Sequence, residues 1–128
     1  MKTLIIIAES ILLLILAGTI FIQTAGLTLS TEEVFKLCQP DEISYEAYDP
    51  YCISIIKQQQ ALGSTYIILV AQETDPTYGH TLNYPAPYVT SQKDLEDTTA
   101  NWTNDGIEIE TYLNTRIFIP KENFTKGR

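Results

Sequence analysis

The stretch TTANWTNDGIEIETYLNTRIFIP, residues 98–120, decides the fold because apolar and polar residues alternate on both sides of a tight turn. Ile107 and Ile109 alternate with glutamates, which places the isoleucines on one face of a strand and the carboxylates on the other. Asn104-Asp105-Gly106 is a strong hairpin turn, because Asp-Gly tolerates positive φ. A further strand is predicted over residues 116–120. The single tryptophan is expected to pack against the inward isoleucines.

A second hairpin is predicted upstream. Residues 65–70, TYIILV, are rich in β-branched and aromatic side chains, which favours a strand. Residues 52–60 allow two interpretations. Asp49-Pro50 has the form of a helix start, with the helix ending at Gly63. The strand is preferred, because the three isoleucines of this segment are poor helix formers and the Gly-Ser turn that follows is well placed.

The segments around these hairpins complete the fold prediction. Ser30-Thr31-Glu32-Glu33 has the pattern of a capping box, and Pro40 would stop a helix, so a short helix is predicted over residues 31–39. Residues 74–97 are turn-rich and are expected to form a long loop. The predicted class is α+β, mainly β: one N-terminal transmembrane helix, a short helix, then a small antiparallel sheet of about five strands in a sandwich or half-barrel.

The N-terminal segment LIIIAESILLLILAGTIFIQ, residues 4–23, contains one charge, Glu9. The nineteen residues from Leu4 to Ile22, at about 1.5 Å each in a helix, span about 28 Å, close to the ~30 Å hydrocarbon core of a bilayer. A cleaved signal peptide is the alternative, but its apolar region usually has about 7–15 residues. We therefore predict two domains, a membrane anchor over residues 1–26 and an extracytoplasmic β-rich domain over residues 27–128.

Charge and cysteine content predict the side of the membrane on which the domain lies. Lys2 and the α-amino group precede the apolar segment, whereas Glu32 and Glu33 follow it, so the N-terminus is expected in the cytoplasm. The domain would then be periplasmic or extracellular. The chain has two cysteines, Cys38 and Cys52, and an even number in an oxidising space predicts a disulfide.

The formal net charge of −8 excludes some classes of partner. Nucleic-acid binding needs a basic surface that releases counterions, and a polybasic lipid-binding surface is equally at odds with the acidic excess. The charge serves solubility or, in a sharper interpretation, attracts a basic partner. The expected partners are the membrane, through the single N-terminal helix, and a protein in the membrane or envelope.

The candidate partner-binding residues come from three segments. Glu9 is a carboxylate that an anchor does not need; it can reach the headgroups, become protonated, or pair with a partner helix. The tyrosines of residues 39–52 either form a binding surface or cover a small core, and the long 74–97 loop either is functional or is simply mobile. The candidate residues are Glu9, Tyr45, Tyr48, Tyr78, His80 and Tyr84.

Catalytic chemistry finds little support in the sequence. His80 is the only histidine and could act as a base or a metal ligand, although such a residue in a Gly-Tyr loop is more typical of an exposed turn. No nucleophile elbow is present. The acidic residues 94–97 lack the spacing of a Ca²⁺ loop. Glu108 and Glu110 form a pair that glycosidases could use but that solvated strands carry routinely. We predict no catalytic residue, no metal site and no cofactor.

The order of elements resembles a group of short exported or membrane-anchored bacterial β-domain proteins. The shared features are a strand, a tight Gly turn followed by Tyr, an apolar strand, a polar excursion, and a Trp strand that leads into an Asp-Gly hairpin. Those proteins commonly carry Ser-Pro-Asp-Gly-x-Tyr at the first turn, and residues 61–66 here, ALGSTY, keep the Gly and the Tyr. The resemblance covers residues 52–120. It implies location and architecture and no activity.

Three functions are compatible with these observations. The preferred expectation is a membrane-anchored extracytoplasmic binding or accessory protein that supports an envelope or membrane complex without catalysis. The alternative is an inhibitor or immunity-type protein against a basic partner. The third is a small hydrolase or metal-dependent enzyme that uses His80.

Overall fold

A computed structural model shows a long N-terminal helix followed by strands. The structure describes residues 1–45, 50–85, 89 and 91–126, with the backbone alone at position 24. Within this part of the chain there are seven strands in two sheets and two short helices besides the first. The chain divides into two compact units, Met1–Thr31 with Gln58–Thr65 and Glu32–Lys57 with Tyr66–Arg128. The mainly β class predicted from the sequence is confirmed.

Helix α1, Lys2–Thr24, is predominantly apolar and carries Glu9 as its one charge beyond Lys2. The sequence has no proline or internal break before the last turn, and leucine and alanine are strong helix formers. The helix ends where Gly26 adopts a positive φ of 60°, a conformation that glycine takes without steric cost. The amide of Ala25 still donates to the carbonyl of Phe21 at 2.9 Å. The chain then passes directly into the first strand.

The first sheet has the strand order β1-β2-β3-β4. Its strands are β1 Thr28–Cys38, β2 Tyr51–Gln60, β3 Ser64–Gln72 and β4 His80–Asn83. The predicted β2–β3 hairpin is therefore confirmed, and the helical alternative for residues 52–60 is wrong. Gly63 turns the chain with a φ of 88°, and its carbonyl accepts from the amide of Gln60 at 3.0 Å.

The short helix predicted over residues 31–39 is wrong, because this segment is the greater part of β1. Thr31 and Val34 are β-branched and suit a strand. An isolated helix of nine residues is marginal in water, whereas pairing with β2 satisfies the backbone along the segment. The disulfide from Cys38 to Cys52 joins the same two strands. The capping-box pattern was therefore overridden by sheet pairing.

The second sheet confirms the hairpins predicted from residues 98–120. Strands β5 Thr99–Thr103, β6 Gly106–Glu110 and β7 Arg116–Pro120 pair antiparallel in the order β5-β6-β7. Gly106 has a φ of 155°, and a Cβ at this position would collide with the carbonyl oxygen of Ile119 on β7. Only glycine therefore fits at the turn of this hairpin.

The segment over residues 74–97 is more ordered than the predicted loop. It contains a 3₁₀ turn at Pro76–Tyr78, strand β4, and helix α2 at Gln92–Glu96. Strand β4 pairs with β3, so that His80 lies opposite Val70. The last helix, α3, covers Glu122–Thr125. The strand was missed because four residues among prolines and glycines carry too short a pattern to recognise.

One buried apolar cluster lies in the second unit and draws residues from both sheets. Ile53, Ile55, Ile68 and Val70 come from the first sheet, and Ile107, Ile109 and Ile119 come from the second. Several of these side chains are completely inaccessible to water, and burying each stabilises the fold by about 1.5–3 kcal/mol. The half-buried Trp102 packs against the cluster and lies opposite Ile107 in the β5–β6 register, as predicted.

Candidate functional site

The membrane-spanning potential of α1 is the clearest functional feature. The helix is long and apolar enough to cross a bilayer, and none of its span is buried within the protein. A signal sequence at this position would have the same properties. The apolar side chains of α1, if exposed to water, would carry a large hydrophobic cost, which a lipid environment removes.

Glu9 is the only charged residue of α1 beyond Lys2, and its side chain is exposed. No hydrogen bond or ion pair to its carboxylate is present among the described residues. Its neighbour Ser10 is different, because the Ser10 hydroxyl donates to the carbonyl of Ile6 at 2.8 Å. Ser10 thus satisfies itself within the helix, as Thr19 does with Ile15. The Glu9 carboxylate is therefore available for a hydrogen bond or an ion pair with a partner helix.

The predicted disulfide is confirmed. Cys38 at the end of β1 and Cys52 near the start of β2 form the bond, with the two Cα atoms 4.0 Å apart. Hydrogen bonds beside it hold the strands together: the Gln39 amide donates to the Tyr51 carbonyl at 2.9 Å, and the Tyr51 amide donates to Gln39 Oε1 at 2.8 Å. A disulfide on a domain that follows an apolar helix is consistent with an oxidising compartment outside the cytoplasm.

The disulfide also explains the one group of three potential metal-ligating atoms found among the described residues. The sulfurs of Cys38 and Cys52 and a carboxylate oxygen of Glu73 lie within 4.8 Å of one another. Metal ions bind thiolates, and both sulfurs are consumed by the disulfide. The carboxylate of Glu73 instead faces the ammonium of Lys36 at 3.7 Å. In its oxidised form this cluster is a structural bridge.

Tyr45, a candidate contact residue, is buried in the core instead of exposed. Its hydroxyl donates to the carbonyl of Thr103 at 2.6 Å and lies 3.2 Å from that of Gly106. Its ring packs edge-on against Phe124 and Tyr51, with centroids 5.2 and 6.0 Å away. Burial raises the pKa of the Tyr45 phenol, and the hydrogen bond to Thr103 partly opposes this effect. Tyr45 therefore fastens the chain to the β5–β6 turn.

Tyr84 is likewise a structural residue. It is buried, and its hydroxyl shares a 2.7 Å hydrogen bond with the buried hydroxyl of Thr98. Burial raises the pKa of the Tyr84 phenol, which the hydrogen bond to Thr98 partly offsets. A buried tyrosine whose hydroxyl has a partner is the usual arrangement in protein cores. Tyr48, the remaining tyrosine of the 39–52 loop among the candidates, lies outside the described residues.

The structure brings Tyr78 and His80 together. They line an open cleft of about 430 Å³ with Thr77, Gly79, Asn123 and Lys126. The preceding 3₁₀ turn is fixed by Asp75, whose carboxylate accepts from the amide of Thr77 at 3.2 Å. Tyr78 is 63% exposed, so its ring is available to a partner. The lining offers hydrogen-bond donors and acceptors and one lysine, without a nucleophile–base pair among these residues.

Asn123 and Lys126 were missed as members of this cleft. They lie in and just after α3, more than forty positions from Tyr78, and the sequence gives no pattern that connects the two segments. Two smaller cavities were missed for the same reason. One of about 270 Å³ includes Ser44 and Lys121, and one of about 260 Å³ includes Lys57.

The carboxylates considered for catalysis have structural partners. Arg116 on β7 donates from Nε to Glu110 at 3.0 Å, and its Nη1 lies 3.8 Å from Glu108. Asp94 accepts from the amide of Ser91 at 3.1 Å and thereby closes the first turn of α2. These contacts account for the acidic pattern of both segments through strand and helix stability.

Comparison with known proteins adds no relative: no protein-family model, no curated protein and no solved structure matches the chain.

Proposed function

We propose that this chain is a single-pass membrane-anchored protein whose β-domain binds and supports another membrane or envelope protein outside the cytoplasm, without catalysis. The observation that carries the proposal is the union of α1 with a disulfide-closed domain. An apolar helix, with no buried side chain over its span Lys2–Gln23, is followed by β1, whose last residue, Cys38, is oxidised. The helix supplies attachment, and the domain supplies a surface.

The proposed orientation places the N-terminus in the cytoplasm. Lys2 precedes the apolar segment, and positive charge is retained on the cytoplasmic side. Glu32 and Glu33, on the other side of the helix, are compatible with export. The disulfide supports the same orientation, because thiols on the cytoplasmic side are kept reduced.

Two contact regions are proposed for the partner. Within the bilayer, Glu9 is a polar group that lacks an intramolecular partner among the described residues, and such groups in membrane helices pair with neighbouring helices. Outside the bilayer, the cleft beside Tyr78 and His80 combines an exposed aromatic ring with polar groups. Aromatic residues of this kind are enriched at protein interfaces. Tyr45 and Tyr84 are removed from the proposal because both are buried.

Cross-linking in intact membranes, followed by affinity purification and mass spectrometry, tests this proposal. The amount of partner recovered with the native chain should fall at least several-fold with Glu9→Leu or with Tyr78→Ala. The matched controls are Ser10→Ala, which alters a hydroxyl bonded within its own helix, and Leu113→Ala, which truncates another exposed side chain. If Glu9→Leu and Tyr78→Ala recover the same proteins as the controls, both contact regions are wrong.

The alternative of an inhibitor or immunity-type protein draws its support from the net charge of −8. Binding to a basic partner through long-range charge should weaken steeply with added salt, because exposed charges are screened. A complex held by α1 and the cleft should survive such a titration in detergent. A recovered complex that dissociates between about 0.1 and 0.5 M salt, where the Debye length falls from about 10 Å to a few Å, favours the alternative.

The third candidate, a small hydrolase or metal-dependent enzyme, rests on His80 in the polar cleft. His80→Ala separates it from the binding functions, because loss of the only histidine would abolish acid–base or metal chemistry. Under the proposed function, His80→Ala weakens partner recovery and changes no turnover. Growth of cells carrying this variant, compared with cells carrying Tyr78→Ala, distinguishes the two outcomes.

A further inference from the structure

The tip of the β2–β3 hairpin belongs to the same compact unit as α1. This unit joins Met1–Thr31 to Gln58–Thr65. The reason is the strand order, since β1 begins four residues after α1 ends and pairs with β2. Cys38 at the end of β1 is bonded to Cys52 near the start of β2, so the two strands run antiparallel, and the start of β1 lies beside the end of β2. The turn after β2 is therefore held next to the segment that leaves α1.

The exposed side chains in this region are apolar. Leu62, at the hairpin tip, is 72% exposed, a larger fraction than for any other large apolar residue that follows α1 in the described part of the chain. Leu27 and Leu29, between α1 and the middle of β1, are 51% and 65% exposed. A single exposed leucine on a soluble domain is unremarkable. Three of them lie in the unit that contains α1, and residues 24–31 and 58–65 of this unit are here called the patch.

This patch also lacks charge. Residues 24–31 and 58–65 contain no Asp, Glu, Lys or Arg, although 19% of the chain's residues are charged. The first charges beyond the patch are Glu32 and Glu33 on β1 and Lys57 on β2. Because these two segments carry no charged side chain, they can contact lipid without the cost of desolvating an ion. The serine, threonine and glutamine side chains that remain can hydrogen-bond to headgroups.

The dimensions agree with contact to lipid. The 23 residues of α1 span about 34 Å, slightly more than the ~30 Å hydrocarbon core, so its end reaches the headgroup layer. The four residues from the end of α1 to the start of β1 extend the chain by at most about 14 Å. The beginning of β1 and the adjoining hairpin tip therefore lie within or just above the headgroups.

We infer that the tip of the β2–β3 hairpin, residues 61–63, rests on the headgroup layer of the membrane that α1 crosses, with Leu62 inserted and Leu27 and Leu29 beside it. This contact rests on the membrane placement of α1 in the proposed function. It gives the domain a second attachment to the membrane besides the helix.

The full-length chain in sparse lipid vesicles tests this inference. Leu62→Trp places a fluorophore at the tip, and Leu113→Trp places one on an exposed leucine in the loop between β6 and β7. Both variants keep the native Trp102 as a common background. Bromine-labelled phosphatidylcholine should quench at least half of the added emission of Leu62→Trp and little of that of Leu113→Trp. Aqueous acrylamide should quench Leu62→Trp several-fold less than Leu113→Trp.

Equal acrylamide quenching of the two variants, with no bromolipid quenching at position 62, would overturn the contact. Protection from acrylamide without bromolipid quenching would mean that protein covers the tip, a second copy for example, and would also refute the lipid assignment. Carbonate extraction of both variants measures separately whether α1 anchors the chain in the membrane. If the chain stays in the membrane and the tryptophan of Leu62→Trp is not quenched by bromolipid, only the contact of the hairpin tip is refuted. If the chain is extracted from the membrane, the membrane placement of α1 is refuted as well.

Discussion

Replacing both cysteines, Cys38 with Ser and Cys52 with Ala, should lower the free energy of unfolding by about 3 kcal/mol. The two residues are 14 positions apart, so the bond closes a loop of about 15 residues, whose entropy loss in the unfolded chain is about 10 cal/mol/K. The native pairing should survive, because the hydrogen bonds between Gln39 and Tyr51 adjoin the bridge and remain available. Alanine suits position 52, which is almost fully buried.

Urea unfolding of the full-length chain in mild detergent, followed by Trp102 fluorescence, measures this loss. The indole ring lies 6.2 Å from the ring of Tyr45 within the core, so its emission reports loss of packing. With a urea dependence of about 1–3 kcal/mol/M, the midpoint should fall by about 1–3 M. Reductant should shift the native chain by the same amount and leave the double variant unchanged. A midpoint change below about 0.3 M in both tests would refute the assigned role of the bridge.

The other predictions concern the turns and the buried phenols. Gly106→Ala should destabilise the domain by about 2–4 kcal/mol, because the new Cβ would clash with the carbonyl of Ile119 and the backbone φ is unfavourable for alanine. Gly63→Ala should cost about 1 kcal/mol, because its φ is also unfavourable but the space around it is open. Equal losses of stability for the two variants in urea titrations would contradict the role assigned to the clash. Tyr84→Phe should cost about 1 kcal/mol near neutral pH through the lost hydrogen bond to Thr98. The pKa of Tyr84 is raised in the folded state above the ordinary value of 10.0 for a tyrosine, so its contribution to stability is complete below pH 10 and lost as pH rises through the folded pKa. Above pH 10, the free energy of unfolding should therefore fall less steeply with pH for the Tyr84→Phe variant than for the native chain. Parallel pH profiles of this free energy would contradict the assigned titration of the phenol.

The two hairpins and the anchor were accessible from the sequence because each is specified by neighbouring residues. Asp105-Gly106 fixes a turn, the isoleucines of β6 alternate with glutamates, and α1 is a long apolar segment with a single carboxylate. The disulfide followed from an even cysteine count together with an apolar N-terminal segment. In all of these features, the information lies within a few residues or in a simple count.

Features that depend on distant pairing were missed. The segment 31–39 has a local helix signature, but β2 offers it a ladder of hydrogen bonds, and the strand wins. The sequence left Tyr45 either at a binding surface or over the core, and its burial depends on residues 58 and 61 positions further along the chain, which supply its hydroxyl with partners. The cleft beside Tyr78 is completed by residues of the C-terminal segment. Neither periodicity nor turn chemistry carries information about such long-range contacts.

The compartment of the β-domain is the claim on which the account depends most. Two fusions at the C-terminus measure the compartment directly. One carries alkaline phosphatase, which needs export to become active, and the other carries a fluorescent protein that matures only in the cytoplasm. The account predicts active phosphatase, no fluorescence, and retention of both fusions in carbonate-washed membranes. Bright fluorescence together with inactive phosphatase would place the domain in the cytoplasm and contradict the proposed orientation.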